Sequence, residues 1–379
     1  MKKILVALCA VALIGLSGCK KDEVKPNESA VENNGGGGQG GNPQNPGDPG
    51  NPQNPEPTWA DIAGVYSPAA KIVAVSENGV ASETWSWENG LLKVVANANG
   101  SEKIRFTHDG QGRVTTMSVN GNGMLSGTVN VSYTGEDMTL SLAGTSNVSA
   151  QLTNINNKPM RADLNLDGMD NGTLISLFNT AVAQFTGNNN ADNIISGIDS
   201  VSGSMTFTWE GNNVSTSTST ISARLKTTIG QIAALLNNDF SMFGEYGDII
   251  ANYAQASPNT PLYINATLND ESDYSYDSNP NPLRRYMGDM IRFEDNMPSF
   301  NVTTFSANNI IEEGHIGIAH INIYTVISLP ILGEFTYQLY NTDYNLYNKV
   351  VPYTYSYRAD GYPESVESNN GTKTYTYQE

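Results

Sequence analysis

The chain has 379 residues, with 38 acidic residues against 20 Lys and Arg and a formal net charge of −18. A surface of this charge repels phosphate backbones, so the composition predicts no nucleic-acid partner. The only two cysteines, Cys9 and Cys19, lie near the N-terminus. The rest of the chain has no thiol for a disulfide, a thiolate metal site or a cysteine nucleophile.

Residues 1–18 have the layout of a signal peptide. Lys2 and Lys3 precede an apolar run, Ile4 to Leu16, which is shorter than the roughly 20 residues of a membrane-spanning helix. The run ends in Leu-Ser-Gly-Cys19, which resembles the bacterial lipobox, whose cysteine is diacylated and becomes the new N-terminus. The resemblance implies a membrane anchor on Cys19, since two acyl chains hold a protein on a bilayer. The alternative is a plain signal peptide with a cysteine close by.

Residues 19–58 are predicted to be a disordered tether. The segment after Cys19, Lys-Lys-Asp-Glu, resembles the export signal of Bacteroidetes surface lipoproteins and implies an outer-membrane protein exposed at the cell surface. A solvated charge run is the alternative. Glycine runs and repeated Asn-Pro pairs follow, and they bury too little apolar surface to offset their ordering entropy. A single folded domain is expected over residues 59–379.

Most of this domain is predicted to form hairpins, because alternating β-formers flank glycine-containing turns. The predicted strand pairs are 84–87 with 91–96, 103–107 with 113–119, 129–133 with 138–142, and 205–209 with the Ser/Thr-rich stretch after residue 213. Apolar residues at helical spacing predict helices over 174–185 and 229–240, and a further helical turn over 246–253. The expected fold is mainly β, an antiparallel meander with two or three helices packed over one face.

Two motifs in the middle of the chain are candidate sites. Asp163, Asn165 and Asp167 match the first half of a calcium-binding loop, but the twelfth position, where a Glu completes such a site, is Leu174. A solvated turn that caps the next helix explains the same residues. Apart from this weak calcium candidate, no cofactor is expected. Asp-Ser200-Val resembles the short O-glycosylation signal of the same bacteria, which makes Ser200 a candidate for modification.

The three histidines show no catalytic pattern in the sequence. His315 and His320 are five residues apart in a predicted strand, so their side chains point to opposite faces and cannot share a metal ion. His108 lies at a predicted turn. The sequence contains no phosphate-binding loop and no nucleophile elbow. No enzyme is expected, although carboxylates that are distant in sequence can converge in a fold.

The C-terminal part, about residues 255–379, resembles a family of uncharacterised Bacteroidetes lipoproteins described as having a porin-like fold of many antiparallel strands. Turn-forming segments carry the similarity, namely 279–283, 288–293, 353–363 and 371–377, with a similar turn at 108–114. The resemblance implies that the C-terminal segments are closing hairpins. It also implies a sheet curled into a half-open barrel with helices across its concave side.

Five tyrosines near the C-terminus form a candidate ligand platform. They alternate along two strands: Tyr353, Tyr355 and Tyr357 on one, and Tyr375 and Tyr377 on the last. Such rings provide a surface that stacks on a sugar or an apolar ligand. Cross-strand aromatic ladders that stabilise a curved sheet are the alternative.

These patterns lead to three function hypotheses. In the first, a lipid-anchored envelope protein binds a small lipid or glycan ligand in its concave sheet. In the second, a non-catalytic surface protein docks another envelope protein or a host component. A continuous apolar cavity favours the first, and a filled core with an exposed apolar patch favours the second. The third hypothesis, a secreted hydrolase, requires two carboxylates that converge in a cleft.

Overall fold

The computed structural model describes residues 64–120, 127–144, 148–166, 194–235, 247–294, 297–329 and 333–379, with isolated positions at 172, 175, 179 and 239. The predicted signal peptide, Cys19, the tether and Asp167 lie outside the described residues. The same is true of most of the helix predicted over 174–185.

Nineteen strands account for most of the described chain. They are β1 (Ile72–Glu77), β2 (Val80–Glu88), β3 (Leu91–Asn97), β4 (Glu102–His108), β5 (Val114–Val119), β6 (Gly127–Thr134), β7 (Asp137–Leu142), β8 (Ser149–Ile155), β9 (Lys158–Asn165), β10 (Gly197–Glu210), β11 (Asn213–Thr228), β12 (Pro261–Pro280), β13 (Ile291–Glu294), β14 (Met297–Phe300), β15 (Asn308–Leu329), β16 (Gly333–Pro352), β17 (Thr354–Tyr357), β18 (Pro363–Ser368) and β19 (Gly371–Tyr377). All but β13 and β14, which pair with each other, belong to one antiparallel sheet.

The sheet is a meander curled into a half-open barrel. Starting from β17, the ladders run through β18, β19 and β1, then in chain order from β2 to β12, and finally to β15 and β16. Strands β16 and β17 follow each other in the chain across Tyr353, whose N–H donates to the Ile311 carbonyl of β15 at 2.8 Å. Within the described residues, β15 is the strand whose paired register with β16 is seen, and it lies along one edge of β16.

The four predicted hairpins are confirmed. In the first of them the turn residues Asn89-Gly90 have positive φ at both central positions, and so do Asn78-Gly79 and Asn156-Asn157 in two further hairpins. This is the type I′ geometry, whose twist matches that of the flanking strands, and Asn and Gly adopt it at the lowest cost. The register of each hairpin is thus set by residues that are neighbours in sequence.

Strand length divides the sheet into two levels. Strands β10, β11, β12, β15 and β16 have 14 to 22 residues, whereas the remaining strands of the sheet have 4 to 9. The long strands extend past one rim of the barrel, which we call the upper rim. Two helices, α1 (Ile229–Leu235) and α2 (Gly247–Ala256), belong to this extension. Apolar residues of α1, such as Ile229 and Ile232, share a core with Ile264 and Ile321 of the long strands.

Helix α2 turns only part of its predicted apolar stripe, which includes Ile249, Ile250 and Tyr253, towards this core. Ile249 and Tyr253 are 65% and 50% exposed. Ala254 is buried, and Ile250 and Ala251 pack against the core. Helix α2 contacts mainly α1. Within the described residues, no helix has the length and apolar character needed to cross a bilayer.

The lower level of the barrel is filled by the connection between β12 and β15, residues 281–307, which we call the plug segment. It carries β13 and β14 and two short 3₁₀ turns, Met287–Asp289 and Val302–Thr304. Its apolar side chains join those of the surrounding strands in the barrel core; from the plug segment these are Tyr286, Met287, Met290, Phe300, Val302 and Phe305. Residues 354–377 form two hairpins of the main sheet, whereas 281–293 lead into this plug and its separate β13–β14 hairpin.

Aromatic packing and hydrogen bonds hold the plug segment in place. The Tyr286 ring centroid lies 4.6 Å from that of Trp85 and 5.4 Å from that of Tyr66. Tyr66 in turn donates its hydroxyl to the Pro282 carbonyl at 2.7 Å. At the neck of the segment, the Asn281 side-chain amide donates to the carbonyl oxygens of residues 303 and 306. The plug is therefore part of the folded core.

Candidate functional site

An apolar cavity of about 90 Å³ lies between the barrel wall and the plug segment. Strands β4 to β9 form its wall, and Met287 and Gly288 of the plug segment cover it. The wall residues are Ile104, Met117, Val129, Leu140, Ala150 and Leu164. Ser149 supplies the one polar side chain among the described lining residues.

The cavity reaches the upper rim of the barrel. Four further lining residues lie at strand ends on this rim: Val119 ends β5, Leu142 ends β7, Val148 precedes β8 and Leu166 follows β9. Leu166 and Val148 also belong to the core of the helical level, so the cavity lies where the two cores meet. An apolar cavity of this kind does not hold water well and accommodates apolar groups.

A second arrangement, the His315 cluster, lies on the inner face of the long strands and consists of Asp270, Ser272, Glu313, His315 and Tyr347. Ser272 Oγ lies 2.9 Å from His315 Nδ1 and donates to Asp270 Oδ1 at 2.6 Å. His315 Nε2 lies 3.3 Å from Glu313 Oε2, and Tyr347 donates its hydroxyl to Asp270.

Strand register brings these side chains together from distant parts of the sequence. Ser272 of β12 pairs directly with His315 of β15, and Asp270 pairs with Gly317. Gly317 also pairs with Tyr347 of β16, and a Cβ at position 317 would collide with the Tyr347 ring. Because this glycine has no side chain, Tyr347 crosses over β15 to reach Asp270.

The two carboxylates hold His315 in its charged form. Burial alone lowers the pKa of the imidazole, but hydrogen bonds from His315 to Asp270 and Glu313 outweigh it and raise the pKa to about 9. Burial likewise opposes ionisation of Asp270. Hydrogen bonds from His315, Ser272 and Tyr347 nevertheless hold the pKa of this carboxyl below its ordinary value. The cluster is therefore an imidazolium between two carboxylates at neutral pH.

The His315 cluster resembles a Ser–His–acid triad in composition but lacks the conditions for nucleophilic catalysis. A protonated His315 donates to Ser272 Oγ and cannot take its proton. Ser272 is 7% exposed and lies within a strand, with ladder partners on both sides, Ser217 and His315. Its position lacks the sharp turn that presents a nucleophile beside free backbone N–H donors. The cluster instead links the three strands β12, β15 and β16 through side-chain hydrogen bonds.

Four of the five predicted platform tyrosines lie in β17 and β19, Tyr353 lies between β16 and β17, and all five are partly or fully buried. The Tyr355 and Tyr357 rings are stacked at 5.8 Å, and those of Tyr375 and Tyr377 are 6.5 Å apart. Tyr353 donates to Glu313 Oε2 at 3.1 Å, Tyr357 donates to Asp277, and Tyr377 donates to the residue 363 carbonyl at 2.7 Å. Burial raises the pKa of Tyr355 and Tyr377 above the ordinary value. Their use as a ligand platform stays a prediction.

The calcium candidate has a different local structure from the predicted loop. Asp163 and Asn165 lie in strand β9, and the Arg161 guanidinium contacts both carboxylate oxygens of Asp163 at 2.7 to 2.9 Å. No group of three or more His, Cys, Asp or Glu side chains suited to a metal ion is found in the part of the chain that the structure describes.

The remaining candidates lie on the outer surface or at turns. Ser200 is exposed on β10, where modification stays a prediction. Its neighbour Asp199 forms an ion pair with Arg224 at 3.3 Å. His320 faces away from His315, as strand alternation predicts, and its Nδ1 lies 2.6 Å from Asp343. His108 is at the end of β4, and burial together with nearby Lys93 lowers its pKa.

The sequence contains one signal for the His315 cluster, although the cluster matches no known motif. Inner positions of β12 are apolar from Leu262 through Leu268 and then change to Asp270 and Ser272, while the same face of β15 changes from Ala319 to His315. A polar interruption at matched positions of two inward faces indicates a buried polar group. Recognising it requires the β12–β15 register.

Comparison with known proteins assigns neither a family nor a function to the chain. No protein-family model matches the chain, and no curated protein sequence is significantly similar to it.

Proposed function

We propose that this protein is a lipid-anchored envelope protein of the bacterial outer membrane that binds a small apolar ligand inside its barrel. The observation that carries the proposal is the cavity beneath the upper rim, which is walled by aliphatic and methionine side chains. One of these is Met287, whose unbranched thioether side chain adapts its shape easily. The lipobox resemblance at Cys19 supports the membrane location, and a tether over residues 19–58 would let the folded domain stand away from the membrane.

The size of the cavity bears on the kind of ligand. About 90 Å³ is less than the roughly 150 Å³ of an engineered cavity that binds benzene, so the cavity takes part of a chain and not a whole lipid. Each buried methylene contributes about 0.8 kcal/mol. A few methylenes inserted past the rim therefore give measurable affinity, and the rest of the ligand lies outside this cavity.

Filling the cavity tests the proposal directly. Ala150 lies in its wall and is 4% exposed, so Ala150→Phe occupies the space with a phenyl ring. The full chain carrying Cys19→Ser, which removes the acylation site, is titrated with dodecanol by calorimetry, alone and with Ala150→Phe added. We expect binding to be lost in the second variant. Ala81→Phe, at an exposed position of β2, is the matched control and should bind as before.

Melting temperature separates lost binding from lost folding, since overpacking of a core costs about 1–3 kcal/mol. If the cavity-filled variant stays folded and binds dodecanol as tightly as the control, the ligand does not enter this cavity. If the parent protein binds no dodecanol, apolar ligand binding itself is refuted.

The second edge of β16, along which the described residues show no paired register, favours docking as the second candidate function. Phe335 and Tyr337 are 47% and 56% exposed on this strand. A long strand with an unpaired edge is a template for pairing with a strand of another protein. A photo-crosslinking residue at position 337 should then give one defined envelope-protein adduct in intact cells. The control carries the photo-crosslinking residue in place of Ile155, which is 59% exposed. Equal crosslinking of envelope proteins from both positions would refute specific docking.

A further inference from the structure

The described chain enters the barrel at the rim opposite the cavity mouth, which we call the lower rim. Strand β5 runs from Val114 to Val119. Since Val119 lies at the upper rim, Val114 lies at the lower one. The Val114 N–H donates to the carbonyl of Gly64 at 3.0 Å, and Gly64 is where the first described segment begins. The part of the chain that joins Cys19 to the folded domain is therefore attached at the lower rim.

Close contacts fix this entry point relative to the barrel. A Cβ on Gly64 would collide with the ring of Tyr133, which lies near the end of β6. Tyr66 is 3% exposed, and its ring centroid lies 5.6 Å from that of Trp87. Its hydroxyl also donates to Pro282 of the plug segment. The predicted tether is thus joined to a buried part of the core.

The upper extension reaches far from this entry point. Strand β15 starts beside the plug segment and has 22 residues, which gives a length of about 70 Å. Strands of a barrel tilt by about 35–45° from its axis, so the tip of the extension stands about 50–60 Å above the lower rim. A flexible chain with the length of residues 19–63 has an end-to-end distance of about 35–40 Å. The predicted tether is therefore shorter than the folded domain is tall.

We propose that the protein stands on its membrane with the lower rim facing the bilayer. This inference rests on the lipid anchor of the proposed function. The opposite orientation, with the tip of the extension on the bilayer, would stretch the tether beyond its preferred length and so cost conformational entropy. With the lower rim down, the cavity mouth and the exposed Phe335 and Tyr337 are directed away from the bilayer. A ligand or a protein partner then reaches them from the far side of the protein.

Energy transfer from single dye labels to the membrane tests this orientation. Cys9 lies in the predicted signal peptide and the acyl chains occupy Cys19, so a cysteine introduced into the folded domain is the one free thiol. Three exposed positions lie at increasing heights: Gln111→Cys in the turn between β4 and β5, Ala98→Cys in the turn between β3 and β4, and Thr336→Cys near the tip of β16.

Each full chain is expressed in an acylating bacterial host, labelled with a donor dye, and reconstituted into vesicles of phosphatidylethanolamine and phosphatidylglycerol that carry an acceptor-labelled phospholipid. We expect energy transfer to be highest from position 111, lower from position 98 and absent from position 336. The control is Gln111→Cys in a chain that also carries Cys19→Ser, which should give no transfer. Equal transfer from positions 111 and 336, or higher transfer from position 336, overturns the inference. If the acylated parent does not float with the vesicles, the lipid anchor of the proposed function itself fails.

A shorter tether tests whether chain length sets the height of the barrel. Deletion of residues 35–56, within the predicted tether, brings the lower rim closer to the bilayer. Energy transfer from position 111 should then rise, while position 336 should still show none. The melting temperature of the deletion variant should equal that of the parent. If the deletion leaves transfer from position 111 unchanged, the tether does not set the orientation and the inference is overturned.

Discussion

The charged His315 makes a specific prediction about stability at alkaline pH. The folded pKa of about 9 exceeds the ordinary value of 6.5, so the folded chain holds this proton more tightly than the unfolded chain. The stabilisation is complete below pH 6.5 and is lost as the pH rises through about 9. Burial raises the pKa of the nearby Tyr274 above its ordinary value, so this tyrosine stays neutral while His315 loses its proton.

The magnitude follows from the size of the pKa difference. At 1.36 kcal/mol for each pH unit, full coupling gives an upper bound of about 3 kcal/mol. The side chains of His315 and Glu313 are each 19% exposed, and solvent screening reduces the value, so we expect about 1–2 kcal/mol. The groups that face His315 are Asp270 and Ser272 from β12, Glu313 from its own strand, and Tyr347 from β16, which reaches Asp270.

The assay is urea unfolding followed by tryptophan fluorescence between pH 6 and pH 10, for the parent chain and for His315→Gln. The free energy of unfolding should differ most at pH 6 to 6.5, and the difference should shrink by about 1–2 kcal/mol by pH 10. His320→Gln is the matched control, because His320 pairs with Asp343 at an exposed position. A parent-minus-variant difference that stays constant over this range would refute the charged-cluster assignment.

Four other outcomes are expected. Cys19→Ser should move the protein from the membrane fraction to the soluble fraction, and persistent sedimentation with membranes would contradict the lipid anchor. Tyr286→Ala should lower the free energy of unfolding by about 3–5 kcal/mol, since it removes a buried aromatic ring, whereas Tyr253→Ala, at a half-exposed position, should change it by less than about 0.5 kcal/mol. Calcium should leave the melting temperature unchanged, because Arg161 already neutralises Asp163; a saturable rise that Asp163→Ala abolishes would contradict this. Limited proteolysis within 20–58 should release a fragment that melts as the parent does, and a lower melting temperature would show that the tether is part of the fold.

The barrel shows how far local sequence patterns reach. Hairpins such as β2–β3 were predictable because the Asn89-Gly90 turn and the alternation beside it involve residues close together in the chain. Helix α2 was predictable in position but only partly in orientation. Tertiary packing decides its inward face, so Ala254 is buried while Ile249 is exposed.

The candidate sites depend on longer-range contacts. The aliphatic residues of the cavity are ordinary inward strand residues, and they enclose a space only because the plug segment carries Met287 to the barrel wall. Motifs at 279–293 indicate turns but carry no information about insertion into a barrel. The plug is held by partners as distant as Trp85, about 200 residues away in the chain.

The amino-acid sequence by itself determined the β-rich class and the four predicted hairpins, because each depends on residues within a short stretch, while the anchor and the tether stay predictions. Only the tertiary structure decided that Asp270, Ser272, His315 and Tyr347 form one charged cluster, and that the barrel wall and the plug segment enclose a cavity. The physical reason is that ladders between long strands and the packing of a distant loop set these contacts. Strand pairing over such separations follows from the energy of the whole fold and has no local sequence signature.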